Sequence, residues 1–270
     1  MIRLVHPFPS ILDGLVVAGT AVLAGGGVLT AIPLGLSMTA LQFAIGALND
    51  IVDLPADREH VPPKPIPAGL VSLQEARVIA VTAGVVGLAI AAMIRPAVGG
   101  LAVVVLAIGA AYDLLAKGTP WSWVPFAVGI PVLPVYGWVG ATGGLHPAFA
   151  ALIPMAFLAG AALAIANARA DLDTDRAAGT RSVATALGPQ WSVWINATLV
   201  LSATGIGYAA ADPGRLVSVP WWMVALGTVA AIIAVGQGRN DDRAVLRAAW
   251  QLEAVGVAVA GVGWAAVLLG

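Results

Sequence analysis

Two short acidic stretches contain the residue types that could do chemistry. Residues 49–57 read NDIVDLPAD and residues 167–175 read NARADLDTD, and each follows an apolar run. Both place Asn, Asp and Asp at intervals of four residues. On an α-helix this spacing turns each side chain only about 40° from the last, which gives a polar stripe roughly 12 Å long. Two such stripes that face each other would form a cage for hard divalent cations.

The oxygen atoms of these stretches suit Mg²⁺, which is typically bound by one or two carboxylates together with substrate phosphates. The site therefore implies a phosphorylated partner. The candidate metal ligands are Asn49, Asp50, Asp53, Asp57, Asn167, Asp171 and Asp175. Asp50 lies about 100° off the first stripe and could be a ligand or could orient one. Pro55 predicts a kink or a restart of the helix before Asp57.

Basic side chains near these stretches could hold a diphosphate and stabilise the charge that develops as it leaves. The candidates are Arg58, Lys64, Lys117, Arg169 and Arg181, with Tyr112 close to Lys117 in sequence. Lys117 could equally be an ordinary lysine at a helix end, and Tyr112 an interfacial aromatic. His6, His60 and His146 lie far apart in the predicted topology, which argues against a histidine metal site.

Other charged groups look like solvated helix ends or turns. We assign no chemistry to Glu75 and Asp113, or to the turn that contains Asp241, Asp242, Arg243 and Arg247.

The composition indicates an integral membrane protein. Of the 270 residues, 60% are hydrophobic and 10% are charged, whereas soluble domains average about 25% charged residues. The absence of cysteine excludes disulfides and thiolate chemistry. A net charge of -1 gives no indication of a nucleic-acid partner. We read no signal peptide and no appended soluble domain, so residues 1–270 are expected to form a single domain.

The apolar segments predict an all-α fold with about nine transmembrane helices. They fall at about 13–30, 33–49, 73–94, 97–115, 121–140, 147–167, 190–211, 219–237 and 245–269. Prolines lie near several proposed starts, where a missing N–H costs little; they are Pro33, Pro96, Pro120, Pro147, Pro189 and Pro220.

The basic residues predict the orientation. Nearly all of them fall on the N-terminal side of a nine-span topology, and only Arg95 and Arg215 fall opposite. The positive-inside bias then places the N-terminus in the cytoplasm and the C-terminus outside. We therefore expect a multi-pass protein of a bacterial or archaeal cell membrane, with both acidic stretches on the cytoplasmic side.

These motifs resemble those of the UbiA superfamily of intramembrane prenyltransferases. NDIVDLPAD followed by KPIPAG is similar to the NDxxDxxxD signature and its trailing basic-Pro motif, NARADLDTD is similar to the second DxxxD motif, and YDLLAK at residues 112–117 is similar to the Tyr/Lys motif. Lys64 stands where the family usually has Arg, so charge is kept but bidentate grip is lost.

The resemblance implies a ring of nine helices around a central membrane cavity. It implies two Mg²⁺ ions held by Asn49, Asp53, Asp57, Asp171 and Asp175. The four aspartates and Lys117 would be the catalytic residues. The isoprenoid diphosphate would also meet Arg58, Lys64, Arg181 and Tyr112. An allylic carbocation would then pass to a small acceptor, expected to be an aromatic ring, as in quinone or related lipid biosynthesis.

Three alternatives stay open. The same fold could use another acceptor, such as a glycerol phosphate lipid, a chlorin or haem, or phosphoribose, or it could cyclise a terpene. A rival from another class is an ion-coupled transporter, whose membrane acids also bind cations. Transporters place such acids near the bilayer midplane, whereas these lie at helix ends beside basic loops, which favours an enzyme.

Overall fold

The computed structural model describes residues 2–55, 57, 63–212 and 219–269, and this part of the chain is all-helical. The α-helices are α1 Pro7–Leu23, α2 Gly27–Val52, α3 Leu73–Ile94, α4 Pro96–Ala111, α5 Val124–Thr142, α6 Phe149–Ala170, α7 Leu172–Ala177, α8 Val183–Ala210, α9 Val219–Gln237 and α10 Arg243–Leu269. A 3₁₀ turn at Ile2–Val5 precedes α1, and a π-helical turn at Tyr112–Ala116 follows α4.

Within the described residues, eight helices are long and apolar enough to cross a membrane, and α1 is a shorter apolar helix. This agrees with the expected count of about nine and confirms a multi-pass, all-α membrane fold.

The predicted boundary between the first two spans is wrong. The chain breaks at Ala24–Gly26 instead of near residue 31, and Pro33 lies inside α2. Gly25 and Gly27 have φ angles of 78° and 65°, which residues with a Cβ rarely adopt, so the turn forms at this glycine-rich segment. Pro96, by contrast, begins α4 as expected, and Pro189 follows a kink at Gly188 within α8.

The chain divides into two compact units. The first comprises Met1–Leu115 and Val132–Leu145, and the second comprises Ala116–Pro131 and His146–Gly270. In the first unit a buried Tyr136 on α5 shares a 2.7 Å hydrogen bond with Ser37 on α2, and Ser37 Oγ donates to the Gly87 carbonyl of α3 at 2.7 Å. These bonds join three helices where lipid supplies no hydrophobic driving force between them.

The second unit relies on close backbone contact between α9 and α10. A Cβ added at Gly227 would lie 2.4 Å from the Gly256 carbonyl oxygen, and one added at Gly256 would lie 2.7 Å from that of Gly227. Only glycine fits at this crossing, as is common where transmembrane helices pack tightly. The crossing holds α10 against its neighbour and so fixes the side chains that α10 presents to the second acidic stretch.

Candidate active site

The first acidic stretch begins on α2 and continues beyond its end. α2 ends at Val52, just before Asp53, and Leu54 and Pro55 form a turn, in line with the interruption expected at Pro55. The helical hydrogen-bond spacing nevertheless persists, because Asp53 N donates to Asn49 O at 2.9 Å and Asp57 N donates to Asp53 O at 2.9 Å. The spacing of four residues is therefore preserved through the turn.

Lys64 lies among the carboxylates of this stretch. Its Nζ is 3.2 Å from Asp50 Oδ1, 3.5 Å from Asp53 Oδ2 and 2.8 Å from Asp57 Oδ2. Asp50 and Asp57 are buried, so their charges need a nearby cation. Burial alone would lower the pKa of Lys64, but the hydrogen bond to Asp57 and the charges of Asp50 and Asp53 outweigh it and raise that pKa above its ordinary value.

His6 also contacts this cluster, although we predicted no role for it from the sequence. Its Nε2 lies 3.1 Å from Asp50 Oδ1. The preceding 3₁₀ turn holds it there, because Leu4 is fully buried in a cluster with Ala47 and Val71. His6 also has a φ of 46°, a left-handed conformation that is uncommon outside glycine. The position of a His-Pro pair just before the first span was the available signal.

Asn49 is anchored by a residue that was expected to be merely solvated. Its Nδ2 donates to Asp113 Oδ1 at 2.6 Å, and Asp113 is buried in the π-helical turn after α4. The expectation that Asp113 is a solvated helix-end charge is therefore wrong. Because the amide nitrogen of Asn49 is engaged, its oxygen is the atom that could bind a cation.

The second acidic stretch does not form one continuous helix, contrary to the predicted stripe. α6 ends at Ala170, and Asp171 has φ −108° and ψ 4°, outside the helical range, before α7 begins at Leu172. Asp175 N still donates to Asp171 O at 2.8 Å, so these two residues keep their local spacing. Asn167 lies on α6 and is half-buried, and Asp173 is exposed.

Two arginines of α10 bind Asp171. Arg243 Nη2 and Arg247 Nη2 both donate to Asp171 Oδ1, at 2.6 Å and 3.0 Å. From the sequence we placed both arginines in a solvated turn, whereas the structure places them at the start of α10, in contact with Asp171. Their spacing of four residues places them on one face of α10, which was the signal that could have found them. Pairing across more than seventy residues depends on how the helices rotate, which local patterns do not reveal.

Asp175 and Lys117 lie within electrostatic reach of each other. Burial raises the pKa of Asp175, as does the neighbouring charge of Asp171, while Ser182, Lys117 and Arg243 act in the opposite direction without cancelling the rise. Lys117 is half-buried just after the π-helical turn. The structure thus brings the predicted lysine to the predicted second stretch.

The remaining predicted residues are placed as follows. Tyr112 is half-buried at the start of the π-helical turn, and Arg181 is exposed in the link between α7 and α8. Arg58 lies outside the described residues. Arg169, a further basic candidate, points instead to the α9–α10 loop, where its Nη2 donates to Asn240 O at 3.0 Å.

The donor set fits a hard divalent cation. Among the residues that the structure describes, no three acidic or histidine side chains form a ready metal cage. The acidic groups instead gather around cationic side chains, with Lys64 at the first stretch and Arg243 and Arg247 at the second. A cationic side chain already binds the carboxylates of each stretch, and Mg²⁺ could take the place of that side chain. All the available ligand atoms are oxygen, as Mg²⁺ prefers.

Comparison with known sequences connects this chain to a family. The sequence model described as the UbiA prenyltransferase family matches residues 11–252. Digeranylgeranylglyceryl phosphate synthase of Methanoregula boonei is 27% identical over 239 residues, which cover 87% of this chain and 84% of that protein. The protein of the same name from Halobacterium salinarum is 30% identical over 255 residues, which cover 90% of this chain and 89% of that protein.

Solved structures share the fold. A UbiA homolog from Aeropyrum pernix K1, in its apo form, superposes with a TM-score of 0.78 at 21% identity and covers 97% of this chain and 98% of that one. A UbiA homolog from Archaeoglobus fulgidus bound to DMAPP and Mg²⁺ gives a TM-score of 0.69 at 19% identity, with 98% of each chain covered.

Proposed function

The chain belongs to the UbiA prenyltransferase family, and we propose that it transfers an isoprenoid chain from a polyprenyl diphosphate to a glycerol phosphate lipid in a Mg²⁺-dependent reaction. It is an enzyme and a prenyltransferase; the donor, the metal and the acceptor are the parts proposed. The observation that carries the proposal is the set of three carboxylates around Lys64. In this arrangement Mg²⁺ could take the place of the Lys64 ammonium and hold a diphosphate next to the carboxylates.

The metal would be held by the oxygen atoms of both acidic stretches. The proposed ligands are Asn49, Asp50, Asp53, Asp57, Asn167, Asp171 and Asp175. Bound Mg²⁺ supplies positive charge that neutralises the diphosphate and stabilises it as a leaving group. Support comes from the Archaeoglobus fulgidus homologs, which were solved with DMAPP and Mg²⁺ and with GPP and Mg²⁺. We propose that both stretches serve one diphosphate and that they do so on the cytoplasmic side.

The cationic side chains of the chain bind and orient the diphosphate in this proposal. With metal bound at these carboxylates, the Lys64 ammonium would be available to donate to a phosphate oxygen. Arg243 and Arg247 are likewise available at the second stretch, beside Lys117. Once they bind the diphosphate, these donors would stabilise the negative charge that grows on the departing pyrophosphate.

The acceptor is proposed from the relatives. Proteins at 27% to 31% identity are named digeranylgeranylglyceryl phosphate synthase, which supports a glycerol phosphate lipid instead of the aromatic ring first expected. In such a transfer the bond between prenyl C1 and the diphosphate oxygen breaks, and an ether bond forms between C1 and the acceptor hydroxyl oxygen. The hydroxyl proton leaves to solvent or to the released pyrophosphate.

A panel of acceptors tests the proposal. The protein in nanodiscs is supplied with geranylgeranyl diphosphate, Mg²⁺ and one acceptor at a time, either geranylgeranylglyceryl phosphate or an aromatic acid such as 4-hydroxybenzoate. Mass spectrometry then identifies the products. An ether product from the glycerol phosphate, absent in Asp53→Asn, supports the proposal. Prenylation of the aromatic acid alone would overturn the proposed acceptor, and no transfer to either acceptor would overturn the proposed pair of donor and acceptor.

A further inference from the structure

A small cavity lies within the second unit, where α6, α8, α9 and α10 meet. Its volume is about 20 Å³, and most of its lining is apolar. Besides Ser192 and Trp250, three polar side chains reach it: Arg169 from α6, Asn196 from α8 and Glu253 from α10. Each is more than nine-tenths buried, with exposed fractions of 5%, 5% and 1%. Charged groups at this depth in an apolar bundle need partners.

The protein satisfies only part of the hydrogen-bonding capacity of these groups. Asn196 Nδ2 donates to Glu253 Oε2 at 3.0 Å, and Arg169 Nη2 is engaged with the α9–α10 loop. One buried atom of each of these three side chains has no hydrogen-bond partner among the described residues: Arg169 Nε, Asn196 Oδ1 and Glu253 Oε1. Such orphaned atoms are rare in folded proteins, and they are commonly satisfied by an ordered water.

The three atoms complement a single water molecule. Arg169 Nε can only donate, while Asn196 Oδ1 and Glu253 Oε1 as a carboxylate oxygen can accept. A water molecule accepts through a lone pair and donates through two hydrogens. A volume of about 20 Å³ accommodates one water, since roughly 10 to 15 Å³ is needed for it. Buried waters typically make about three hydrogen bonds, which is the number available here.

We propose that this cavity binds one ordered water molecule that bridges Arg169, Asn196 and Glu253. Through this bridge, Glu253 acts as a positioning residue for Asp171. Arg169 lies in the last turn of α6, two residues before Asp171. The helix that carries Glu253 also carries Arg243 and Arg247, which bind Asp171 directly. The end of α6 is therefore held against α10 at two places. One is the water bridge, and the other is the pair of contacts from Arg243 and Arg247 to Asp171.

The role in positioning rests on the proposed function, whereas the water site does not. The two parts therefore have separate tests.

Kinetics test the positioning role through Glu253→Leu, Glu253→Gln and a control at the exposed Gln251 on the same helix, Gln251→Leu. Loss of an outer partner of a metal ligand commonly weakens metal affinity by 10-fold or more. We expect Glu253→Leu to raise the apparent KM for Mg²⁺ about tenfold with a smaller change in kcat. Glu253→Gln, which keeps both polar atoms, should restore the KM to within about twofold, and Gln251→Leu should leave it unchanged.

A merely structural role would reduce the amount of folded protein without moving the KM of the folded fraction. An unchanged KM in folded Glu253→Leu would therefore overturn the positioning role. If Glu253→Leu does not fold, the apparent KM of Glu253→Gln for Mg²⁺ is the deciding measurement. A tenfold rise in that KM would contradict a bridge made by hydrogen bonds.

A ligand-free experimental structure that resolves ordered waters tests the water site without turnover. Density within hydrogen-bonding distance of Arg169 Nε, Asn196 Oδ1 and Glu253 Oε1 supports the proposal. A dry cavity, or direct contact between Arg169 and Glu253, would refute it. If the enzyme proves to use another donor or acceptor, this result is unaffected.

Discussion

Replacing Lys64 with methionine should change metal binding and substrate binding in opposite directions. Its ammonium lies 2.8 to 3.5 Å from oxygens of Asp50, Asp53 and Asp57. These are the carboxylates that we propose as Mg²⁺ ligands, so the ammonium and the metal would compete for them. Methionine keeps the approximate length of the side chain and removes the charge. Metal should therefore bind more tightly to Lys64→Met in the absence of substrate, while the diphosphate should bind more weakly.

The magnitude follows from the contacts. A lysine–carboxylate pair about 4 Å apart at an effective dielectric constant of about 20 has a gross attraction of about 4 kcal/mol. Dehydration offsets much of this, and hydrogen bonds to charged groups stabilise proteins by about 1.5 to 3 kcal/mol net. Since about 1.4 kcal/mol corresponds to a factor of ten, the dissociation constant for Mg²⁺ should fall about tenfold or more. The KM for the diphosphate should rise by about the same factor.

Calorimetric titration of the purified protein with Mg²⁺ measures the first effect, and steady-state kinetics measure the second. Arg77→Met is the matched control, since it removes one positive charge from an exposed position on α3. It should leave both constants near their wild-type values. Weaker Mg²⁺ binding by Lys64→Met, or binding unchanged from wild type, would refute the idea that Lys64 occupies the place of the metal.

Four further outcomes are expected. Asp53→Asn and Asp171→Asn should each abolish transfer while the protein stays folded in membranes; wild-type turnover in either, measured by product formation, would defeat the assignment. EDTA should remove activity and Mg²⁺ should restore it, whereas activity that persists in EDTA would exclude metal dependence. Arg243→Met should raise the KM for the diphosphate about tenfold, since a charged donor to a phosphate is lost; an unchanged KM would argue against its role. Tyr136→Phe, which removes the bond to Ser37, should lower the free energy of unfolding by about 1 kcal/mol with little change in kcat, and an unchanged thermal midpoint would contradict this.

Properties imposed by lipid were predictable from the sequence. A membrane-spanning segment must be long, apolar and internally hydrogen-bonded, so composition alone indicates a helical fold. The two acidic stretches were also visible, because few charges occur elsewhere. The loop between α1 and α2 was predicted in the wrong place because Pro33 resembled the start of a helix. The left-handed conformations of Gly25 and Gly27 set the break instead, and a proline inside α2 is tolerated.

Contacts between distant helices were not predictable in the same way. His6 meets Asp50, Asn49 meets Asp113, and the α10 arginines meet Asp171 only because each helix has a particular rotation about its axis. An individual sequence does not fix that rotation when the helices are apolar on most sides. The end of α6 at Ala170 was also not predictable, because the backbone of Asp171 leaves the helical conformation. The four-residue spacing of the second acidic stretch predicted a continuous helix there.

The central claim is that both acidic stretches act on one diphosphate. The most direct test is a structure of the protein with Mn²⁺ in place of Mg²⁺ and an unreactive thiolo analogue of geranylgeranyl diphosphate, with the metals located by anomalous scattering. Carboxylate oxygens of Asp53 and of Asp171 should ligate metal ions that are bridged by the same diphosphate, with Lys64 moved from the carboxylates to a phosphate oxygen. A diphosphate bound through one stretch alone, with the other still closed on its own cationic side chains, would contradict the claim.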